Sequence, residues 1–509
     1  MRAPSEPAGA YTLRSLILVS GVLFLVRLWL DGHLELMFDE AYYALWAQHL
    51  AWSYFDHPPM VALWIRLSTL LFGEHELGVR VLGTLSAAAG TGIIYLISWH
   101  LFGNRQAAIF AALLYCAMLL ISAGAIIITP DTPLLLFWSI ALYALARLYE
   151  DGGSGWWWVV GIAMGLALQS KYTALLLGAG IVCAMAVVPS LRHWWRSPIP
   201  YLAGALSLAM FAPVVLWNYQ HGWASFAFQF ARTNGDGLSL RFLPEFLGGQ
   251  IGLLTPLVFV LSLGGLWLGL RRGEDENGQA TLFLASLIGP LLAYFLLHSL
   301  HARVNGNWIA PAYPVFAVLG AQAAFQQRQF PGRVQTAIAF SRRWAVPVGL
   351  AFVGIAYVQA AAAPIPLDPS KDPTALMAGW ADLAAQVDAT ADKIGAQFLL
   401  TSHYRLTSEL SVYSHGARPI IQFNERPRWL SLGGTPPSLL GRGLYVVEAD
   451  RDESREISTR FRVLEKVAAI ERTRDGRRIT TYALYLVAEP RNSPLNDFTL
   501  IRSAQNASP

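Results

Sequence analysis

Long apolar runs alternate with short polar breaks along most of this chain. The runs fall near 13–30, 78–100, 106–123, 132–149, 156–169, 172–188, 200–217, 249–270, 280–298, 309–325 and 344–361. A helix needs about 20 apolar residues to cross a bilayer, so the pattern predicts a polytopic α-helical membrane protein with about eleven transmembrane helices. The first run, Leu13 to Leu30, is too long for the apolar part of a signal peptide and lacks a small-residue cleavage site. It reads as an uncleaved span. Past Ala361 the pattern changes. A Pro-rich entry, PIPLDPSKDP from Pro364 to Pro373, leads into ordinary soluble composition. Phe398–Thr401, Gly443–Val447 and Thr480–Leu486 read as strands, and Thr374 to Ile394 as a helix. The expected organisation is therefore a membrane domain, 1–361, carrying long loops at 31–77 and 218–248, and a small α/β domain, 362–509, frayed after Pro490.

Composition agrees. The chain has 509 residues, 54% of them hydrophobic and 14% charged, against about a quarter charged in a soluble domain. A net charge of +4 is too small and too dispersed for nucleic-acid binding. The basic residues set topology instead. Arg2, Arg14, Arg105, Arg147, Arg192, Arg196, Arg271, Arg272, Arg328, Arg333, Arg342 and Arg343 fall on one side if Lys171 sits in a hairpin between the fifth and sixth spans. That side is inside, and parity then sends 362–509 outside. Cys116 and Cys183 lie in apolar runs and read as small core residues.

With this topology the unusual polar residues collect outside. In FDEAYYALWAQHLAWSYFDHPPM, Phe38 to Met60, the acids Asp39, Glu40 and Asp56 and the imidazole of His57 lie among aromatics. An interfacial amphipathic helix with a capping acid would explain this. So would a carboxylate in a partly desolvated cleft, acting as general base. Asp131 in ITPDTP is either a helix cap or a second site acid. Arg80 and Lys171 are outer cations, suited to snorkelling or to a phosphate. Arg303, Asn305, Asn307 and Trp308 in RVNGNW combine a cation, two amides and an indole, which suits a sugar or its phosphate, or a plain polar loop.

Phe38–Tyr43, Phe55–Met60, Thr129–Asp131, Ser170–Thr173, and Asn307–Trp308 with Ala310–Pro314 together resemble the bacterial branch of the dolichyl-phosphate-mannose–protein mannosyltransferase family. The lipid A aminoarabinose transferase and rhizobial lipopolysaccharide galacturonosyltransferases are its relatives. The resemblance runs through the membrane region and is loose after 361. It implies a GT-C fold, a periplasm-facing site at the bacterial inner membrane, and a polyprenyl-phosphate sugar donor. Asp39 matches the family's first-loop catalytic acid, Glu40 its acidic neighbour, and Asp131 a further outer acid. Arg80 and Lys171, with His57, Arg303, Asn305, Asn307 and Trp308, are assigned to the donor phosphate and sugar. The expected reaction is inverting sugar transfer to lipid A, lipopolysaccharide or another envelope glycan, with a protein O-mannosyltransferase-like enzyme or a lipid-linked sugar flippase as alternatives. No cofactor is required, and no Walker or Rossmann loop or His/Cys metal cluster is present in the sequence. A divalent cation bound through the carboxylates is left open. The expected partners are the lipid-linked sugar, a glycolipid or protein acceptor, and membrane lipid.

Overall fold

The computed structural model describes residues 11–231, 237–273, 275–432 and 439–491. Arg2 and the expected fraying after Pro490 lie outside the described residues, apart from Arg491. In chain order the α-helices are α1 (Leu13–His33), α2 (Phe38–Gln48), α3 (Met60–Phe72), α4 (Glu76–Phe102), α5 (Arg105–Ala117), α6 (Leu119–Gly124), α7 (Asp131–Asp151), α8 (Trp156–Ser170), α9 (Leu175–Val187) and α10 (Ile199–Gln220). They continue as α11 (Ala224–Ala231), α12 (Phe242–Leu254), α13 (Pro256–Arg272), α14 (Glu276–His298), α15 (Tyr313–Phe325), α16 (Gly332–Ala362), α17 (Trp380–Ile394), α18 (Tyr404–Tyr413) and α19 (Ser454–Arg460).

Every predicted apolar run falls on helix, but not every run is one straight span. Among the described residues, seven helices are long and apolar enough to cross a membrane, or up to nine if two bent pairs each count as one. The run 249–270 breaks at Thr255–Pro256, where α12 and α13 meet at 102°. Pro256 has no N–H to give, and Thr255 stands at φ 71°. The run 106–123 breaks at Met118, whose extended backbone separates α5 from α6. α8 has only 15 residues. The apolar helix α3, with Leu63, Leu67, Leu70, Leu71 and Phe72 exposed, lies inside what the sequence reads as a loop.

The chain forms two compact units. The first is Met1–Trp29, Val81–Trp217 and Arg232–Ala356. The second is Leu30–Arg80, Asn218–Ala231 and Tyr357–Pro509. By these contacts residues 30–80, which include the first long loop, group with the C-terminal segment from Tyr357 and not with the helical body.

In the helical unit, helices approach closely where side chains vanish. α13 packs on α15, and α9 on α14. A Cβ at Gly265 would run into the Leu319 carbonyl, and one at Gly180 into that of Leu287. Small residues allow this backbone contact between membrane helices.

The second unit contains a five-stranded sheet of β1 (Phe398–Thr401), β2 (Ile420–Gln422), β3 (Gly443–Glu448), β4 (Phe461–Arg474) and β5 (Arg477–Pro490). The order is β2-β1-β3-β5-β4, parallel through β1, β2 and β3 and antiparallel at β5 and β4. Side chains alternate between two cores, as a pleated strand requires. Leu399, Leu444, Val446, Tyr482 and Leu484 face α17 and α18. Phe398, Leu400, Tyr445, Val447 and Ala483 face the other way, with Ile457 of α19. The predicted helix 374–394 is split by Gly379 at φ 79°, ahead of α17.

Gly265→Ala should destabilise the protein by about 1–3 kcal/mol, because the α13–α15 pair must separate to admit a methyl group. Thermal unfolding in detergent, compared with Gly264→Ala and wild type, would measure this.

Candidate active site

The second unit is organised around α2. Its first turn holds Asp39 and Glu40, where acids suit the helix dipole. Glu40 Oε2 accepts from the Met37 N–H at 2.9 Å and so caps the helix start. The same carboxylate pairs with Arg80 through Nε at 2.8 Å and Nη2 at 2.6 Å. Arg80 also donates to the carbonyls of Leu34 at 2.7 Å, Glu35 at 2.8 Å and Asp31 at 3.4 Å. Glu40 is 0% and Arg80 1% exposed. Every N–H of this guanidinium is occupied. Arg80, expected at a donor phosphate, makes five hydrogen bonds within the fold and is buried. Glu40, expected as a site acid, has its carboxylate engaged by the Met37 N–H and by Arg80.

The loop between α1 and α2 is tied down from several sides. Leu36 N–H donates to Tyr413 Oη at 2.7 Å, and Tyr413 donates to Glu76 Oε1 at 3.1 Å. The Glu35 carboxylate accepts from the N–H groups of Trp380 and Ala381 at 2.6 and 3.2 Å, at the start of α17. Trp46 stacks on Tyr54 with centroids 4.1 Å apart. Tyr54 in turn donates to the Trp46 carbonyl at 3.0 Å, which closes the turn after α2.

Consecutive helix residues point about 100° apart. With Glu40 held inward, Asp39 turns towards α18. Tyr404 Oη donates to Asp39 Oδ1 at 3.0 Å. Oδ2 takes no hydrogen bond among the described residues, and the side chain keeps partial exposure. Burial pushes the Asp39 carboxyl up to about 6, against the opposing pull of the Tyr404 hydrogen bond and the Arg405 charge; Asp56 adds to the rise.

Asp56 is buried. It pairs with Arg428, and its Oδ2 accepts from Tyr42 Oη at 3.0 Å. Arg428 also bonds Glu425 at 3.0 Å and lies 4.6 Å above the Tyr404 ring. Gln229 donates to the Asp56 carbonyl at 2.6 Å. His57, assigned to the donor, shows its ring 6.4 Å from that of Tyr43 and its carbonyl bonded to the Tyr54 N–H. Tyr404, Arg405 and Arg428 escaped the sequence reading. They sit over 300 residues from Asp39, and no local signal marks them as site residues.

The helical unit holds a second constellation. Asp131, at the first position of α7, takes Lys171 Nζ on Oδ1 at 2.7 Å and Asn307 Nδ2 on Oδ2 at 2.7 Å. The Asp131 carboxylate does not cap its helix. Instead Thr132 Oγ1 accepts from the Thr129 N–H at 3.1 Å. Lys171 owes its place to the extended backbone that ends α8 at φ −160°. Three residues picked from distant motifs thus meet. Trp308 packs on Phe295 and His298 with centroids 5.8 and 5.9 Å away. Arg303 pairs with Glu245 in an exposed bridge, and Asn305 is exposed; such a bridge contributes little.

Among the described residues no group of three or more His, Cys, Asp or Glu side chains is placed to hold a metal ion. Asp56 and Asp131, the two best-placed acids after Asp39, already carry cationic partners. A cavity of about 330 Å³ lies beside α2, lined by Ala44, Gln48, Arg66, His75, Glu76 and Tyr413, among others. Asp39 is not part of its lining.

The sequence model of the dolichyl-phosphate-mannose-protein mannosyltransferase family matches residues 56–217. The lipid A galacturonosyltransferase RgtD of Rhizobium johnstonii is 28% identical over 284 residues, 55% of this chain and 59% of that protein. An undecaprenyl phosphate-α-4-amino-4-deoxy-L-arabinose arabinosyl transferase of Pseudomonas aeruginosa is 25% identical over 375 residues, 68% of this chain and 64% of that one. The chain thus spans less than two thirds of the length of these curated relatives. The crystal structure of ArnT from Cupriavidus metallidurans bound to undecaprenyl phosphate superposes with a TM-score of 0.65 at 17% identity, over 93% of this chain and 98% of that one. The fold is GT-C.

Arg80→Met should leave Glu40 buried without its partner, at a cost of about 3–5 kcal/mol. Arg80→Lys should recover little, because one ammonium cannot make five bonds in a plane. Thermal unfolding of both variants in detergent, beside wild type, tests this.

Proposed function

We propose that this chain, related to the dolichyl-phosphate-mannose–protein mannosyltransferases and to the lipid A sugar transferases, is an inner-membrane glycosyltransferase. It moves one sugar, a hexose or pentose, from a polyprenyl-phosphate donor to an acceptor on the periplasmic side. The acceptor is lipid A, lipopolysaccharide or another envelope glycan. The observation that carries this reading is Asp39: a recessed carboxylate with one oxygen held by Tyr404 and the other unbonded.

The chemistry follows from that geometry. Tyr404 fixes the orientation of the carboxylate through Oδ1. Oδ2 accepts the proton of the acceptor hydroxyl, or orients a phosphate oxygen where that is the nucleophile. The acceptor oxygen bonds to the anomeric carbon from the face opposite the phosphate. The bond from that carbon to the phosphate oxygen breaks, its electron pair leaves with polyprenyl phosphate, and the configuration inverts. A base with a pKa near 6 is ionised at neutral pH yet basic enough to take a proton in the transition state. The leaving group is already a phosphate and needs no general acid. The Asp131–Lys171–Asn307 constellation is proposed as the helical unit's own contribution to donor binding, tested separately by Lys171→Met.

Asp39→Asn in proteoliposomes, supplied with radiolabelled undecaprenyl-phosphate sugar and envelope glycolipid, should lower transfer by roughly 10²–10⁴-fold. Movement of the donor across the bilayer without transfer, unaffected by the substitution, would sink the reading and favour a flippase. Wild-type transfer should fall as pH drops through about 6, as Asp39 takes its proton.

Stability should move the other way. The folded state holds the Asp39 proton more tightly than the unfolded chain, whose value is the ordinary 3.8. Below 3.8 the carboxyl is neutral in both states and costs nothing. As pH rises from 3.8 to about 6 the unfolded chain releases the proton that the folded state still holds, so stability falls, and above about 6 the folded protein carries a buried charge. Asp39→Asn should therefore raise the unfolding temperature at pH 7 and give a smaller gain at pH 4. Equal gains at both pH values would disprove the pKa assignment.

A further inference from the structure

The proposed reaction releases polyprenyl phosphate, and within the second unit a cation beside Asp39 that could meet a phosphate has still to be named. Arg80 is fully occupied within the fold. In the same unit Arg428 serves Asp56 and Glu425, Arg418 serves Asp388 and Asp392, and buried Arg472 serves the carbonyls of Ala375 and Ala378.

Arg405 is different. It follows Tyr404 in α18, so it stands next to the residue that holds Asp39. Its side chain is exposed. Its guanidinium makes no hydrogen bond or ion pair among the described residues and lies over Phe38, 4.2 Å from Cζ to the ring centroid. Phe38 immediately precedes Asp39. Stacking on an aromatic face orients a guanidinium while leaving its N–H groups at the rim available. Its charge is felt at Asp39, where it opposes the rise caused by burial. The neighbouring His403 is held down to about 4 by burial and then by Arg405, so the imidazole adds no charge. Near Asp39 the positive groups are Arg405 and Arg428, and Arg428 already faces Asp56 and Glu425.

We propose that Arg405 binds a phosphate group of a reactant at the mouth of the Asp39 site. The rim of its guanidinium matches two phosphate oxygens, and the Phe38 ring presets its plane. Two reactants could bring that group: the polyprenyl-phosphate donor, or an acceptor that is itself phosphorylated. The proposal deepens the transferase reading and rests on it.

The test uses full-length protein and three measurements. The first is binding of undecaprenyl phosphate, without sugar, followed by intrinsic tryptophan fluorescence. The second is transfer kinetics with donor and acceptor varied in turn. The third is the pH profile of transfer. Arg405→Ala should weaken the phosphate-bearing reactant by roughly 10- to 100-fold. Arg405→Lys should recover part of this, since it keeps the charge but not the fork. The acidic limb of the pH profile should also move upward in Arg405→Ala, because removing a nearby cation lets the Asp39 carboxyl rise further; a purely structural role would not move it. A raised KM for donor, with weaker undecaprenyl phosphate binding, assigns the donor's phosphate. A raised KM for a phosphorylated acceptor, absent with its dephosphorylated form, assigns the acceptor's. Unchanged binding, unchanged KM values and an unmoved pH profile would overturn the proposal. If wild type binds undecaprenyl phosphate but transfers no sugar, the transferase reading fails, and Arg405 stands or falls on the binding measurement alone.

Discussion

The second unit depends on one buried ion pair. Glu40 and Arg80 come from different helices, α2 and the start of α4, and neither reaches solvent. Taking two charges out of water is expensive, and the cost is offset only when geometry and extra hydrogen bonds are complete. Here they are. Glu40 also caps α2, and Arg80 also gathers the carbonyls of Asp31 at the end of α1 and of Leu34 and Glu35 in the loop after it. Such a pair is weak as a source of net stability and strong as a constraint, because either partner alone would be left charged in the interior. It fixes the rotation of α2 about its own axis. The direction of Asp39 follows, since it is the adjacent residue.

That constraint sets the electrostatics. Glu40 and Asp56 each face an arginine and are compensated within the fold. Asp39 is left with a tyrosine hydroxyl. Hence burial dominates at Asp39 and lifts its pKa, where an arginine in direct contact would have held it down. The proposed general base calls for an environment poor in direct counter-charge, and Asp39 has one. The unpaired carboxylate and the unpaired guanidinium of Arg405 both belong to the same small surface, built from Phe38, Asp39 and the start of α18. The fold leaves these two groups available, while Glu40, Arg80, Asp56 and Arg428 are occupied.

The sequence was legible where a physical signal is local. Apolar runs gave the helices, because burial in lipid selects residue type over about 20 consecutive positions. They did not give the breaks at Met118 and Thr255, where the composition stays apolar and the backbone turns. Strands β1, β3 and β5 were readable from alternation, whereas the three-residue β2 is too short to show a period. Asp131, Lys171 and Asn307 were each marked by being polar amid apolar sequence, and they do meet. Arg80 was marked in the same way, and the structure fills it with partners from within the fold. A cation in an apolar run looks the same in sequence whether it waits for a ligand or is saturated by five internal acceptors.

By itself the sequence determined the class of protein, the run of helices and the α/β composition of the C-terminal segment. These follow from hydrophobicity and period, which each stretch carries alone. Only the tertiary structure decided that the first loop folds with the C-terminal segment, that Tyr404 and not a cation holds Asp39, and which arginines remain available. The reason is that a charged side chain's role is set by what surrounds it. Partners that lie over 300 residues apart in the chain, as Asp39 and Tyr404 do, leave no trace in either neighbourhood until the fold brings them together.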